Sequence, residues 1–181
     1  EKINYKYNAY EHTEPSTFEI ELRDKKLKYK EKFINFFMNT DYDITNNLDY
    51  HSVKDTIDKK KKCIFIKPEL YHDKYNITIK PDFIIHRDIF KEIFNEVDDI
   101  YILDLPLYIV SDIVYQTVNF NSDMTDLIND NLLYYYKCKI YLCNKILGYN
   151  DYGILFAKEY KNKDSILKKK KVVGSYLFTN D

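Results

Sequence analysis

The spacing of apolar positions changes several times along this chain, and each change marks an element. From Phe18 to Met38, Leu22, Leu27, Phe33, Ile34, Phe37 and Met38 recur at helical spacing, with Lys and Glu opposite them, which predicts an amphipathic helix. Asn39 to Tyr50 is rich in Asn, Asp and Thr and reads as a loop. A short helix follows over Ser52 to Asp58, with Asp49 or Ser52 as its cap. Cys63–Ile66 is a short buried strand, and Leu70-Tyr71 extends it beyond Pro68, which cannot pair within a sheet. His72-Asp73-Lys74 is a turn, and Tyr75 to His86 is the next strand, bent at Pro81. Ile89 to Val97 reads as a helix capped by Asp88.

The run Ile100 to Leu105 is dense enough in apolar residues for a strand covered on both faces. Ile109 to Phe120 is a further strand or strand-loop. In Asp126 to Leu147, Leu132, Leu133, Tyr136, Ile140, Cys143 and Leu147 repeat at helical spacing, and Gly148 suits the position just past the helix end. Gly153 to Ala157 is a last core strand, and a strand-like segment follows the lysine run 168–171. The order of main elements is helix, strand, strand, strand, helix, strand. This predicts one α/β domain over 18–181, preceded by a polar, tyrosine-bearing arm over 1–17.

With 181 residues, 45% of them hydrophobic, the chain is long enough to bury a real core. Its formal net charge of −1 gives no global case for nucleic-acid binding, so only local patches can make one. The run Lys59–Lys62 is read first as a solvated turn and second as a phosphate-contacting edge. Tyr134, Tyr135 and Tyr136 are read first as core and second as a base-stacking surface. Cys63, Cys138 and Cys143 are too few for a disulfide framework and indicate a reducing compartment. All three are expected to be small buried hydrophobes. No signal peptide or membrane-spanning run is expected, and a start at Glu1 leaves room for an upstream segment. Abundant Lys, Asn, Ile and Tyr, with little Ala or Gly, are the mark of an AT-rich genome.

Three segments carry a resemblance: CIFIKPELYHDKYNITIKPDFIIHRD, then YILDLPLY, then YYKCKIYLCNKILG, closed by GILFAKEYK. In order and spacing, about Ser52 to Lys161 resembles the PD-(D/E)XK nuclease superfamily, and more narrowly the nuclease-like proteins of large DNA viruses. The resemblance implies a restriction-endonuclease-like αβββαβ core with a mixed central sheet flanked by helices. It implies Asp82 and Asp104 as ligands of Mg²⁺, Asp82 matching the acid of the PD motif and Asp104 the first acid of the third strand. A helical glutamate, with Glu31 as the candidate, would complete the set. The chain departs from the pattern at Asp104-Leu105-Pro106, where proline stands in the lysine position. Lys139 stands where the family helix has Gln, and is the candidate for a relocated catalytic lysine. Lys80, His86, Arg87 and Lys137 flank these motifs as candidate phosphate contacts.

Three functions follow as expectations. The first is a catalytically degenerate nuclease-fold protein that binds nucleic acid or helps assemble a viral complex. The second is an active Mg²⁺-dependent deoxyribonuclease using Asp82, Asp104 and Lys139. The third is a structural virion protein. The expected partners are DNA or other viral proteins, with no membrane and no disulfide partner. The expected location is the reducing interior of an infected cell (its cytoplasm or a viral factory) or the virion.

Overall fold

The structure, a computed structural model, describes residues 16–94, 105–120, 131–149, 152–162 and 175–178. Its first helix, α1 (Thr17–Met38), starts at a reciprocal cap: Ser16 Oγ accepts from the Glu19 N–H, and Glu19 accepts from the Ser16 N–H. Two of the orphan donors of the first turn are satisfied this way. Only the far end of the expected stripe is buried, at Phe33 and Phe37, while Leu27 and Met38 are exposed. The segment read as a loop contains a short strand, β1 (Ile44–Asn46). α2 (Tyr50–Asp58) is capped by Asp49, which accepts from the N–H groups of His51 and Ser52.

β2 (Ile64–Ile66) and β3 (Leu70–His72) are separate strands on either side of Pro68. The expected bent strand is likewise two strands, β4 (Ile77–Ile79) and β5 (Phe83–His86), on either side of Pro81. They belong to different sheets, because neither proline can donate to a ladder. α3 (Arg87–Ile93) is capped by the His86 ring, which accepts from the Asp88 N–H, and not by the Asp88 side chain.

The third main strand is β6 (Tyr108–Phe120). The Ile100–Leu105 run, expected as a strand, lies outside the described residues except for Leu105. Leu105 and Pro106 precede the ladder, which opens with Tyr108 opposite His86. α4 (Asn131–Leu147) ends at Gly148, whose φ of 73° is the left-handed conformation expected of a residue past a helix end. β7 (Gly153–Asn162) and β8 (Ser175–Phe178) complete the chain.

The main sheet runs β1-β2-β5-β6-β7-β8, and β3 and β4 form a second, two-stranded sheet. β2, β5 and β6 are successive antiparallel neighbours, whereas β6 and β7 are parallel. A parallel pair needs a crossover, and α4 lies within it. Alternation along the strands sorts the core into two layers. Ile64, Phe83, Ile85, Ile109, Ile113 and Phe156 pack with α1 and α3. Phe65, Ile84, Val110, Val114 and Leu155 pack with α2 and α4. The chain is thus mixed α/β, with helices on both faces of a mixed sheet.

Cys63 and Cys143 are buried as expected, but Cys138 is exposed, and all three are free thiols. Among the described residues, no helix is long and apolar enough to cross a membrane.

Candidate functional site

Two carboxylates meet where β5 begins beside β6. Asp82 directly precedes β5, after the rigid break at Pro81. Asp112 lies within β6, one residue past the pairing of Phe83 with Ser111. Their backbones and side chains interlock: the Asp82 N–H donates to Asp112 Oδ1 at 2.9 Å, and the Ile113 N–H donates to Asp82 Oδ2 at 2.9 Å. Each acid is therefore fixed by the strand that carries the other.

A lysine reaches each acid from a different helix. Lys139 on α4 donates to Asp112 Oδ1 at 2.7 Å. Lys30 on α1 donates to both oxygens of Asp82 at 2.9 Å. Since α1 and α4 cover opposite faces of the sheet, the acids are held between two cations, one from each layer. The sides differ in solvation. Asp112 is fully buried and the Lys139 side chain 15% exposed, whereas the Lys30 side chain is 36% exposed. Lys139 is the more enclosed of the two partners and Lys30 the more solvated.

Burial raises the Asp112 carboxyl above the usual carboxylate range, with Asp82 adding to the rise and Lys139 opposing it. Burial also works against the Lys139 ammonium, but the charge and hydrogen bond of Asp112 outweigh it, so Lys139 holds its proton more tightly than a free lysine. The Tyr136 hydroxyl, one turn before Lys139, is pushed up to about 12, first by burial and then by Asp112 and Asp82.

Of the four carboxylate oxygens of Asp82 and Asp112, three accept hydrogen bonds. Asp112 Oδ2 is buried and has no hydrogen-bond partner. A buried carboxylate oxygen without a donor is costly, and such a group calls for a ligand. With Asp82 alongside, it suits a hard divalent cation. Mg²⁺ is usually held by one or two carboxylates, with water and substrate phosphate completing its shell. Among the described residues, no group of three or more His, Cys, Asp or Glu converges on one point, so Asp82 and Asp112 are the carboxylates that could hold such an ion.

Of the residues singled out in the sequence, Asp82 and Lys139 converge on this site. Asp104 lies outside the described residues, and the acid beside Asp82 is Asp112. Glu31 is exposed, and the α1 side chain that reaches the acids is its neighbour Lys30. Lys80 pairs with Glu69 at 2.6 Å on the surface. His86 and Arg87 lie at the far end of β5, about 13 Å from Asp82 at the usual rise per strand residue. His86 is buried as a helix cap, and Arg87 donates to the Leu105 carbonyl at 3.1 Å. Lys137 is half-buried on α4, two residues from Lys139. In the lysine run, Lys59, Lys61 and Lys62 pair with Asp55, Asp43 and Glu92, in keeping with a solvated turn. The run 168–171 lies outside the described residues. Tyr134 and Tyr135 are exposed and Tyr136 is half-buried, so the first two are not core.

Sequence reasoning passed over Asp112 and Lys30. A signal existed for the first: Asp112 is the lone acid in the apolar run Tyr108–Val114, and such an acid on a central strand needs a reason. Lys30 carries no local signal, being one of 28 basic residues. No family model, curated protein or solved structure matches this chain.

Proposed function

We propose that this chain is a metal-dependent nuclease of the PD-(D/E)XK type, with its lysine supplied by the helix rather than the strand. One observation carries the reading: Lys139 Nζ lies 2.7 Å from Asp112, itself bonded to the backbone of Asp82. A relocated lysine needs its amine within reach of the acids, and this one meets that condition. The order α1, β2, β5, β6, α4, β7 supports the αβββαβ core of the superfamily. In this register the acid-x-lysine motif reads Asp112-Ile113-Val114, and buried Val114 stands where the strand lysine would be.

Asp82 and Asp112 would hold Mg²⁺. When bound, that ion polarises a phosphodiester and lowers the pKa of an attacking water. Lys139 keeps its proton and places a fixed positive charge beside the acids, where charge builds on a phosphate. The two interlocking backbone bonds hold the carboxylates in place, so little reorganisation is needed when an ion arrives.

The test is cleavage of DNA by purified protein with Mg²⁺ or Mn²⁺. Asp82→Ala and Lys139→Met are expected to lower the rate at least about a hundredfold, the usual cost of removing one electrostatic stabiliser. Full activity in Lys139→Met would overturn the assignment of the lysine.

A second reading rests on Lys30. Its ammonium engages both oxygens of Asp82, which favours a decayed site in which a cation side chain replaces the metal. The chain would then bind nucleic acid without cutting it. DNA affinity falling steeply with salt, with no cleavage under any divalent ion, would favour that reading.

A further inference from the structure

We infer that Lys30 is a mobile cation of this site, which holds Asp82 until a divalent ion replaces it and then contacts the phosphodiester. The inference rests on the nuclease reading above and names a substrate contact within it. An ionised carboxylate has about four acceptor positions. At Asp82 three are taken, two by Lys30 and one by the Ile113 N–H. The Ile113 bond belongs to the framework between the strands, so Lys30 is the partner that an incoming ion can displace.

The helix that carries Lys30 is well anchored beside it. Tyr29 packs edge-on against Tyr115 of β6 at 5.3 Å between ring centres, and Phe33 packs against Phe156 of β7 at 5.1 Å. Anchoring the backbone while the amine stays part-solvated leaves motion to the four-carbon stem. Once displaced, the ammonium remains at the mouth of the site and is repelled by the ion. A phosphate bound to that ion is the nearest opposite charge the chemistry supplies. Lys158, 4.8 Å over the Tyr115 ring, adds a second cation on the same side.

Lys30 therefore opposes the metal when the protein is empty and assists the substrate when it is loaded. No role in folding alone gives these opposite effects. The experiment is Mg²⁺ titration calorimetry without DNA on wild type, Lys30→Gln and Lys30→Arg. It is followed by DNA binding across a salt series with Ca²⁺ in place of Mg²⁺. Thermal unfolding confirms that each variant folds.

Lys30→Gln is expected to bind Mg²⁺ about tenfold more tightly than wild type, since a competing charge is gone. Its DNA salt dependence is expected to be shallower by about one phosphate contact. Lys30→Arg is expected to keep the wild-type salt dependence. Unchanged or weaker Mg²⁺ binding by Lys30→Gln, with wild type binding the ion, overturns the Lys30 inference and leaves the metal site standing. An unchanged salt dependence overturns it too. If neither protein takes up Mg²⁺, the metal reading and the Lys30 inference both fall.

Discussion

Lys139 and Asp112 form a buried ion pair at 2.7 Å, although they stand 27 residues apart in the chain, on a helix and a strand. Removing one member of such a pair strands the other charge in a medium that solvates it poorly. Lys139→Met is therefore expected to cost about 3 kcal/mol, or roughly 6–12 °C in melting temperature for a chain of this size. The double variant Asp112→Asn/Lys139→Met removes both charges and is expected to recover much of that loss. Thermal unfolding of the wild type, both single variants and the double variant gives the coupling directly. Losses that simply add would mean that the two residues do not share a buried site.

Gly153 sets how closely α4 approaches the sheet, and hence where Lys139 lies. A Cβ at Gly153 would overlap the Ile140 side chain and come within 3.1 Å of the Val110 carbonyl oxygen. Gly153→Val is expected to destabilise the fold by about 1–3 kcal/mol through overpacking. Adding Ile140→Ala removes one of the two obstacles. The combined variant is therefore expected to be more stable than the sum of the single losses. Melting curves of the three variants check this, and strict additivity would contradict the close approach.

His86 gives a stability that depends on pH. Burial lowers its pKa, with Lys62 and Arg87 acting in the same direction and Asp88 and Glu92 against it. The neutral ring is also the form that accepts from the Asp88 N–H. The unfolded chain binds the proton more readily, at a pKa near about 6.5. This contribution is thus present above that pKa and lost as pH falls through the lower folded value. His86→Gln is expected to flatten the loss of stability between about pH 7 and pH 5, measured by urea unfolding at each pH. An equally steep loss in the variant would assign the effect to other groups.

How much of this was legible in the sequence depended on how local the cause was. Capping and periodicity are local, so α1 was readable from the apolar spacing over Phe18 to Met38, and α2 and the C-terminal end of α4 from Asp49 and Gly148, whereas the Ser16 cap emerged only with the structure. Proline is local too, but its consequence is not. Pro81 announced a break, yet only the tertiary fold sends Ile77–Ile79 and Phe83–His86 into different sheets. The site was half legible. Asp82 follows a motif, and Lys139 was weighed because it replaces a residue type the resemblance expects. Asp112 was passed over because YILDLPLY offered an acid at a strand end, while the ladder begins only after Pro106. Lys30 depends on how α1 crosses the sheet, which no spacing within α1 encodes.

The most direct measurement compares Mg²⁺-dependent DNA cleavage by wild type, Asp112→Asn and Asp104→Asn. The expected result is cleavage by wild type and at least about a hundredfold loss in Asp112→Asn, as for other charge-stabilising groups. Cleavage that survives in Asp112→Asn and disappears in Asp104→Asn would contradict the pairing of Asp82 with Asp112 as the metal site.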